Sequence, residues 1–134
     1  MKEEKVWISA GKTGRPILCP DLVRQRCVVE FVTDMDMNDF PFMEKHLTSF
    51  LKDLTSGLGM KIFMGPVIGN DLNEDTKESG PSAFVGWTTS GTQIHVWPFR
   101  HFVSIDVYSC RKYNVEVILN LIKDYFDPSE LVIF

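Results

Sequence analysis

The chain has 134 residues and a net charge of −4 at neutral pH, with 44% hydrophobic and 24% charged residues. This length fits one domain with a single core, and the acidic balance argues against a general nucleic-acid binder, which needs a basic face for phosphates. No apolar run is long enough for a membrane span, and no apolar stretch follows the charged residues 1–5, so we expect a cytoplasmic protein without a signal peptide.

Cysteine and histidine spacing predicts no metal and no disulfide framework. Cys19, Cys27 and Cys110 are an odd number without paired spacing. His46 and His101 are interpreted as exposed or helix-face histidines. Cys110 is either a small packed residue at a strand end or a catalytic thiol.

Residues 1–26 have no clear hydrophobic periodicity and contain two glycines and two prolines. We predict an N-terminal extension over 1–26, followed by a single domain over 27–134. Gly11, Lys12 and Thr13 look like the end of a phosphate-binding loop. Val6 occupies the position of that motif's earlier glycine, so a nucleotide loop is not favoured.

The first half of the domain predicts a strand, a helix and a second strand. Residues 27–32 are β-branched and apolar around Glu30. Asn38 or Asp39 caps a helix that runs to about residue 56, and its apolar face consists of Phe40, Met43, Leu47, Phe50, Leu51 and Leu54. A short strand is predicted at 60–64, and a polar, glycine-rich mobile loop at 65–80.

The second half predicts three strands at about 82–89, 93–98 and 102–109. A helix follows, with an apolar face of Val115, Ile118, Leu119, Ile122 and Phe126. Pro128 ends it, and residues 131–134 form a last short strand. This order predicts an α+β fold, a two-layer sandwich in which an antiparallel sheet carries both helices on one face.

Alternation along these strands separates an apolar face from a mixed face that carries polar and aromatic side chains. We predict Ser82, Ser90, His95 and Cys110 on the mixed face, with Ser90 next to a turn. A sheet face of this kind is solvated, lines a cleft or forms a subunit contact.

The same four residues stand 8, 5 and 15 positions apart, within the segments IHVWP at 94–98 and SIDVYSC at 104–110. Together, these segments and spacings resemble the core of the prokaryotic S-adenosylmethionine decarboxylases over about residues 26–126. These enzymes cut their own chain before an internal serine and convert that serine into a pyruvoyl group.

The resemblance implies a role for each residue. Ser90 is the pyruvoyl precursor, whose ketone forms a Schiff base with the substrate amine, and the carbonyl of Thr89 is the point of attack. Ser82 assists processing by contacting the oxyanion, His95 is the base that drives elimination, and Cys110 returns a proton to the substrate carbon. Cleavage would release a C-terminal piece of 45 residues, 90 through 134.

The resemblance further implies a pyruvoyl-dependent carboxy-lyase of polyamine (spermidine) biosynthesis, which works as a homodimer of processed protomers on a small amino-acid substrate. Substrate contacts are expected from Glu30, Trp97, Phe99 and Arg100.

Four departures from the family pattern leave alternatives open. At the proposed cleavage site, Thr89 stands where the family has glutamate and Gly91 stands where it has histidine. After Trp-Pro, Phe99 stands where the family has glutamate, and Thr76 stands where it has phenylalanine. One alternative is the same chemistry on ornithine or arginine. Another is an uncut, non-catalytic homologue that binds a ligand or a partner.

Overall fold

A computed structural model describes residues 19–71 and 76–134. The described residues form, in chain order, β1 (Gln25–Val32), α1 (Phe40–Gly57), β2 (Ile62–Asp71), β3 (Gly80–Trp87), β4 (Ser90–Trp97), β5 (Phe102–Ser109), α2 (Val115–Phe126) and β6 (Glu130–Ile133). A single turn of 3₁₀ helix, Pro98–Arg100, joins β4 to β5. None of the described helices is long and apolar enough to cross a membrane.

The strands form one antiparallel sheet in the order β2-β3-β4-β5-β1-β6. Its central strands present one face to the helices, and that face is buried. The core consists of strand side chains such as Val29, Val85, Ile94 and Ile105, packed with helix side chains such as Leu47. The predicted two-layer α+β fold is therefore confirmed.

Both helices begin at a capping side chain, as their sequences require. Asp39 accepts a hydrogen bond from the backbone of Phe42 at the start of α1, and Asn114 accepts one from Glu116 at the start of α2. Each helix buries one apolar stripe, and full burial of a leucine or phenylalanine side chain contributes about 1.5–3 kcal/mol. The stripe on α1 includes Phe50, and the stripe on α2 includes Phe126.

The predicted loop at 65–80 is wrong over residues 65–71, which continue β2. Val67 and Ile68 pair with Phe84 and Ala83 of β3, and register shifts occur on the N-terminal side of Val67. Gly65 has φ +88°, a conformation that glycine adopts readily. Pairing with a neighbouring strand thus overrides a composition that is typical of loops.

Other boundaries move by a few residues. β1 starts at Gln25, inside the predicted extension; most of that extension, including Gly11 and the rest of the loop-like motif, lies outside the described residues. β3 and β4 meet in a tight hairpin in which Trp87 pairs with Ser90, leaving only Thr88 and Thr89 as the turn.

Candidate active site

The turn between β3 and β4 brings Thr89 and Ser90 against Cys110, the residue after β5. The backbone N–H of Cys110 donates to Ser90 Oγ at 3.0 Å, and Ser90 Oγ lies 3.5 Å from Cys110 Sγ as a donor. The thiol itself points toward the carbonyl oxygen of Thr88 at 3.8 Å. Residues 20 positions apart in sequence thus meet because β4 and β5 are neighbouring strands.

Thr89 has a backbone conformation that β-branched residues seldom adopt. Its φ is +53°, in the left-handed region. Its hydroxyl lies 2.7 Å from the carbonyl oxygen of Thr88 and 2.9 Å from Cys110 Sγ. The residue whose carbonyl would be attacked is therefore held by the same sulfur that the Ser90 hydroxyl contacts.

These contacts change the acidity of Cys110. Hydrogen bonds from the Thr89 hydroxyl, and next from the Ser90 hydroxyl, hold the pKa of the Cys110 thiol below its ordinary value. The side chain is partly exposed, so reagents reach it. Cys27, by contrast, is buried in the core, and burial raises its pKa. Of the two thiols, Cys110 is the one with reactive character.

Two cavities meet at Ser90. One, of about 380 Å³, lies toward the mixed face of the sheet and is lined by Arg26, Phe84, Ser90, Gly91, Thr92, Gln93, Asp106 and Tyr108. The other, of about 290 Å³, lies beside the turn and is lined by Gly59, Met60, Lys61, Trp87, Thr88, Ser90, Cys110 and Arg111. Ser90 is therefore reachable from both sides.

A second group of polar residues runs across the middle of the mixed face. Ser82, His95, Ser104 and Glu30 occupy successive paired positions on β3, β4, β5 and β1. Ser82 Oγ and His95 Nδ1 are hydrogen bonded at 2.9 Å, and Ser104 Oγ donates to Glu30 Oε2 at 3.0 Å. We call these four residues the polar row.

The polar row and Ser90 do not meet within one chain. His95 follows Ser90 by five residues on the same strand, a separation of about 16 Å at the usual rise of a strand. Ser82, paired with His95, is equally remote. A single protomer therefore brings Thr89, Ser90 and Cys110 together, and separately Ser82 with His95.

The predicted placement of Ser90 on the same face as His95 is wrong. Ser90 pairs with Trp87, and it shares the parity of Thr92 and Ile94, whose side chains are buried. The prediction extended the alternation of β3 through the turn, whereas the two-residue turn restarts it. Ser90 remains accessible because it begins its strand.

The predicted substrate contacts at the far end of β4 are also distant from Ser90 of the same chain. Trp97 packs against Phe102, with ring centroids 5.4 Å apart, and Phe99 is 58% exposed. Arg100 forms an ion pair with Glu78 at 2.6 Å, so its charge is already partnered.

Sequence reasoning missed three candidate site residues. Ser104 bonds Glu30 in the polar row, and the alternation of β5 already marked its face. Arg26 and Asp106 form an ion pair at 2.5 Å in the wall of the larger cavity. The hydrogen bond to the Asp106 carboxylate raises the pKa of Arg26. Arg26 falls within the predicted extension 1–26, and only cross-strand pairing brings it next to Asp106.

Within residues 19–71 and 76–134, no group of three or more histidine, cysteine or acidic side chains is arranged to hold a metal ion.

Comparisons with known proteins agree with this fold. Residues 29–134 match the sequence model of a protein family described as S-adenosylmethionine decarboxylase. A crystal structure of the adenosylmethionine decarboxylase from Aquifex aeolicus is similar, with a TM-score of 0.59 and 12% identity over 84% of this chain and 88% of that chain. No curated protein sequence matches the chain.

Proposed function

Since the chain belongs to the S-adenosylmethionine decarboxylase family, we propose that it is a self-processing, pyruvoyl-dependent decarboxylase acting on S-adenosylmethionine in polyamine (spermidine) synthesis. The observation that carries this proposal is the cluster of Thr89, Ser90 and Cys110. It brings a hydroxyl, the carbonyl-bearing residue before it and a thiol of lowered pKa from the end of β5 within hydrogen-bonding distance of one another.

The surroundings of Ser90 can accommodate a pyruvoyl group formed from this serine. A cut before Ser90 leaves the new chain end at the first residue of β4, which stays anchored by pairing with β5. Both cavities open onto that position. A pyruvoyl group there supplies the electron sink for loss of carbon dioxide. Cys110 lies next to it and is suited to return a proton to the substrate carbon.

We propose that the active form is a homodimer in which the mixed sheet faces oppose each other. The separation of about 16 Å along β4 supports this, because His95 and Ser82 can act on the Thr89–Ser90 peptide only if a second copy supplies them. Apolar and aromatic side chains surround the polar row on this face, among them Val67, Phe84, Trp97 and Tyr108. A second sheet would cover them.

Charge in the larger cavity favours S-adenosylmethionine over ornithine or arginine. The second ammonium of ornithine and the guanidinium of arginine donate hydrogen bonds and need a free carboxylate, whereas the sulfonium of S-adenosylmethionine has no hydrogen to donate and can be stabilised over an aromatic ring. Among the described lining residues Asp106 is the acidic one, and Arg26 already neutralises it. Phe84 and Tyr108, in the same wall, offer flat surfaces for an adenine ring.

Intact mass of the purified chain tests the proposal first. We expect two fragments split before residue 90, with a pyruvoyl-blocked start on the 45-residue piece, and no cleavage in Ser90→Ala. The cut protein should release carbon dioxide from S-adenosylmethionine and not from ornithine or arginine. One uncut mass would instead favour the non-catalytic homologue, and release from ornithine alone would change the substrate.

A further inference from the structure

Self-cleavage needs a group that removes the proton from Ser90 Oγ, and the polar row is too far away within one chain to do so. Cys110 is the titratable side chain that contacts this hydroxyl in the described structure. Its sulfur lies 3.5 Å from Ser90 Oγ, and its backbone N–H holds the same oxygen at 3.0 Å.

We propose that Cys110 accepts the proton of the Ser90 hydroxyl in the first step of self-cleavage, and that the Thr89 hydroxyl is a positioning residue that holds the sulfur for this transfer. This inference rests on the proposed function and assigns a base to a step for which the sequence named none.

The hydrogen bonds set the direction of the proton. Ser90 Oγ accepts from the N–H of Cys110, so that N–H occupies one oxygen lone pair, and the hydroxyl hydrogen points to Sγ. Thr89 Oγ1 has one hydrogen and two acceptors within reach, the Thr88 carbonyl oxygen at 2.7 Å and Cys110 Sγ at 2.9 Å, and an ionised sulfur competes for that hydrogen as a charged acceptor. A sulfur that receives two hydroxyl donors is stabilised as the thiolate, which is the form able to accept a proton.

The step balances without any further reactant. The Cys110 thiolate takes the proton from Ser90 Oγ as that oxygen bonds to the carbonyl carbon of Thr89. The bond from this carbon to the Ser90 nitrogen then breaks, and the Cys110 thiol returns the proton to that nitrogen. An amide has become an ester with a free amine, and Cys110 is again a thiolate.

The same contacts explain how one cysteine serves two opposite tasks. Once Ser90 has lost its hydroxyl oxygen to the new end of the N-terminal piece, one of the two hydroxyl donors to Cys110 is gone. The thiol form becomes more favourable, and a thiol is what proton return to the substrate requires.

Rates of cleavage test the assignment. We expect Cys110→Ala to slow the appearance of fragments by about 100-fold, the lower range for removal of an acid–base group. Thr89→Val keeps the β-branched shape and should slow cleavage about tenfold, the scale of one hydrogen bond to a charged acceptor. Thr89→Ser should restore most of the rate. Thr48→Val on α1, whose hydroxyl bonds only Glu44 in the described structure, is the matched control.

The pH dependence separates positioning from general damage. Cleavage should rise with pH as the Cys110 thiol ionises. Thr89→Val removes the main cause of the lowered pKa of Cys110, so the rising limb should move to higher pH. The pH dependence of the rate at which iodoacetamide alkylates Cys110 should move to higher pH in the same way. This rate is measured in a Cys19→Ala, Ser90→Ala background, in which the chain stays uncut and the remaining cysteine, Cys27, is buried.

Hydroxylamine distinguishes failure of this step from failure of the decarboxylase. It cuts the ester as soon as it forms, even in a chain that makes no pyruvoyl group. In the His95→Ala background, which blocks the later elimination, a chain cut at 89/90 by hydroxylamine, with added Cys110→Ala much slower, supports the assignment whatever the later chemistry. Equal cutting of both, an unmoved alkylation profile in Thr89→Val, or a His95→Ala chain that resists hydroxylamine would overturn it.

Discussion

Thr92 is a threonine in the core whose hydroxyl has no hydrogen-bond partner among the described residues. It lies in the middle of β4 at 1% exposure, between Val85 and Val107 on the neighbouring strands. Burying a hydroxyl without a partner costs about 1–3 kcal/mol. Valine has the same shape without that cost.

We therefore expect Thr92→Val to raise the free energy of unfolding by about 1 kcal/mol in urea titration. Thr55→Val is the matched control, because the buried Thr55 hydroxyl accepts from the Trp87 indole N–H at 2.9 Å and donates to the carbonyl of Leu51. That variant should lower stability by about 1–3 kcal/mol. Equal losses in both variants would contradict the prediction.

Residue spacing in the sequence indicated the candidate site residues, whose roles stay predictions, and it indicated only part of their geometry. The pairing of Ser82 with His95 agrees with their common face on adjacent strands. The contact between Thr89 and Cys110 was not predictable, because it depends on a left-handed residue in a turn of only two residues. Strand parity cannot be carried across such a turn.

At the scale of elements, the start of β3 depends on Gly80. A Cβ atom at this position would lie 1.9 Å from the carbonyl oxygen of Val96 and 2.7 Å from Pro98. Both neighbours belong to a paired strand or to the turn that ends it, so neither can give way easily. Gly80 therefore permits the close approach that sets β3 beside β4, two residues before Ser82.

Gly80→Ala should lower the free energy of unfolding by about 1–3 kcal/mol, the usual cost of overpacking, as measured in urea. Gly69→Ala on β2 is the matched control, since nothing lies within 4 Å of a Cβ there. We expect that variant to remain within about 0.5 kcal/mol of the parent chain. A stable Gly80→Ala protein would show that the strand ends can separate without cost.

Helices were the elements that the sequence predicted best. Periodic apolar residues in both helices and the cap at Asp39 are local signals, and the structure contains them. The second strand was predicted worst, because residues 65–71 are extended only through pairing with β3. Composition there is polar and glycine-rich, and it carries no information about a distant partner strand.

At the scale of the whole molecule, the proposed homodimer makes a specific prediction. If His95 acts on the partner's Thr89–Ser90 peptide, neither Ser90→Ala nor His95→Ala should cut when expressed alone. Co-expressed, they should form mixed dimers in which one site combines Ser90 from one copy with His95 from the other. Only that site is complete.

The mass of the fragment identifies which chain was cut. We expect the C-terminal piece from mixed dimers to carry the His95→Ala substitution, because it comes from the chain that kept Ser90. Co-purification of an untagged Ser90→Ala chain with an affinity-tagged His95→Ala chain provides the control that mixed dimers form. Mixed dimers without any cut chain would mean that His95 does not act across the interface.

If the chain is cut before Ser90, as we propose, the order of strands in the sheet holds the two pieces together. β1 belongs to the N-terminal piece, yet it lies between β5 and β6 of the C-terminal piece, and β3 pairs with β4 across the cut itself. Among the strands in the described residues, three of the five pairings would therefore join one piece to the other. Strands of the two pieces would be interleaved in one sheet, and separating the pieces would require breaking these strand pairings. Cleavage of the backbone would therefore be a permanent covalent change that leaves the sheet assembled.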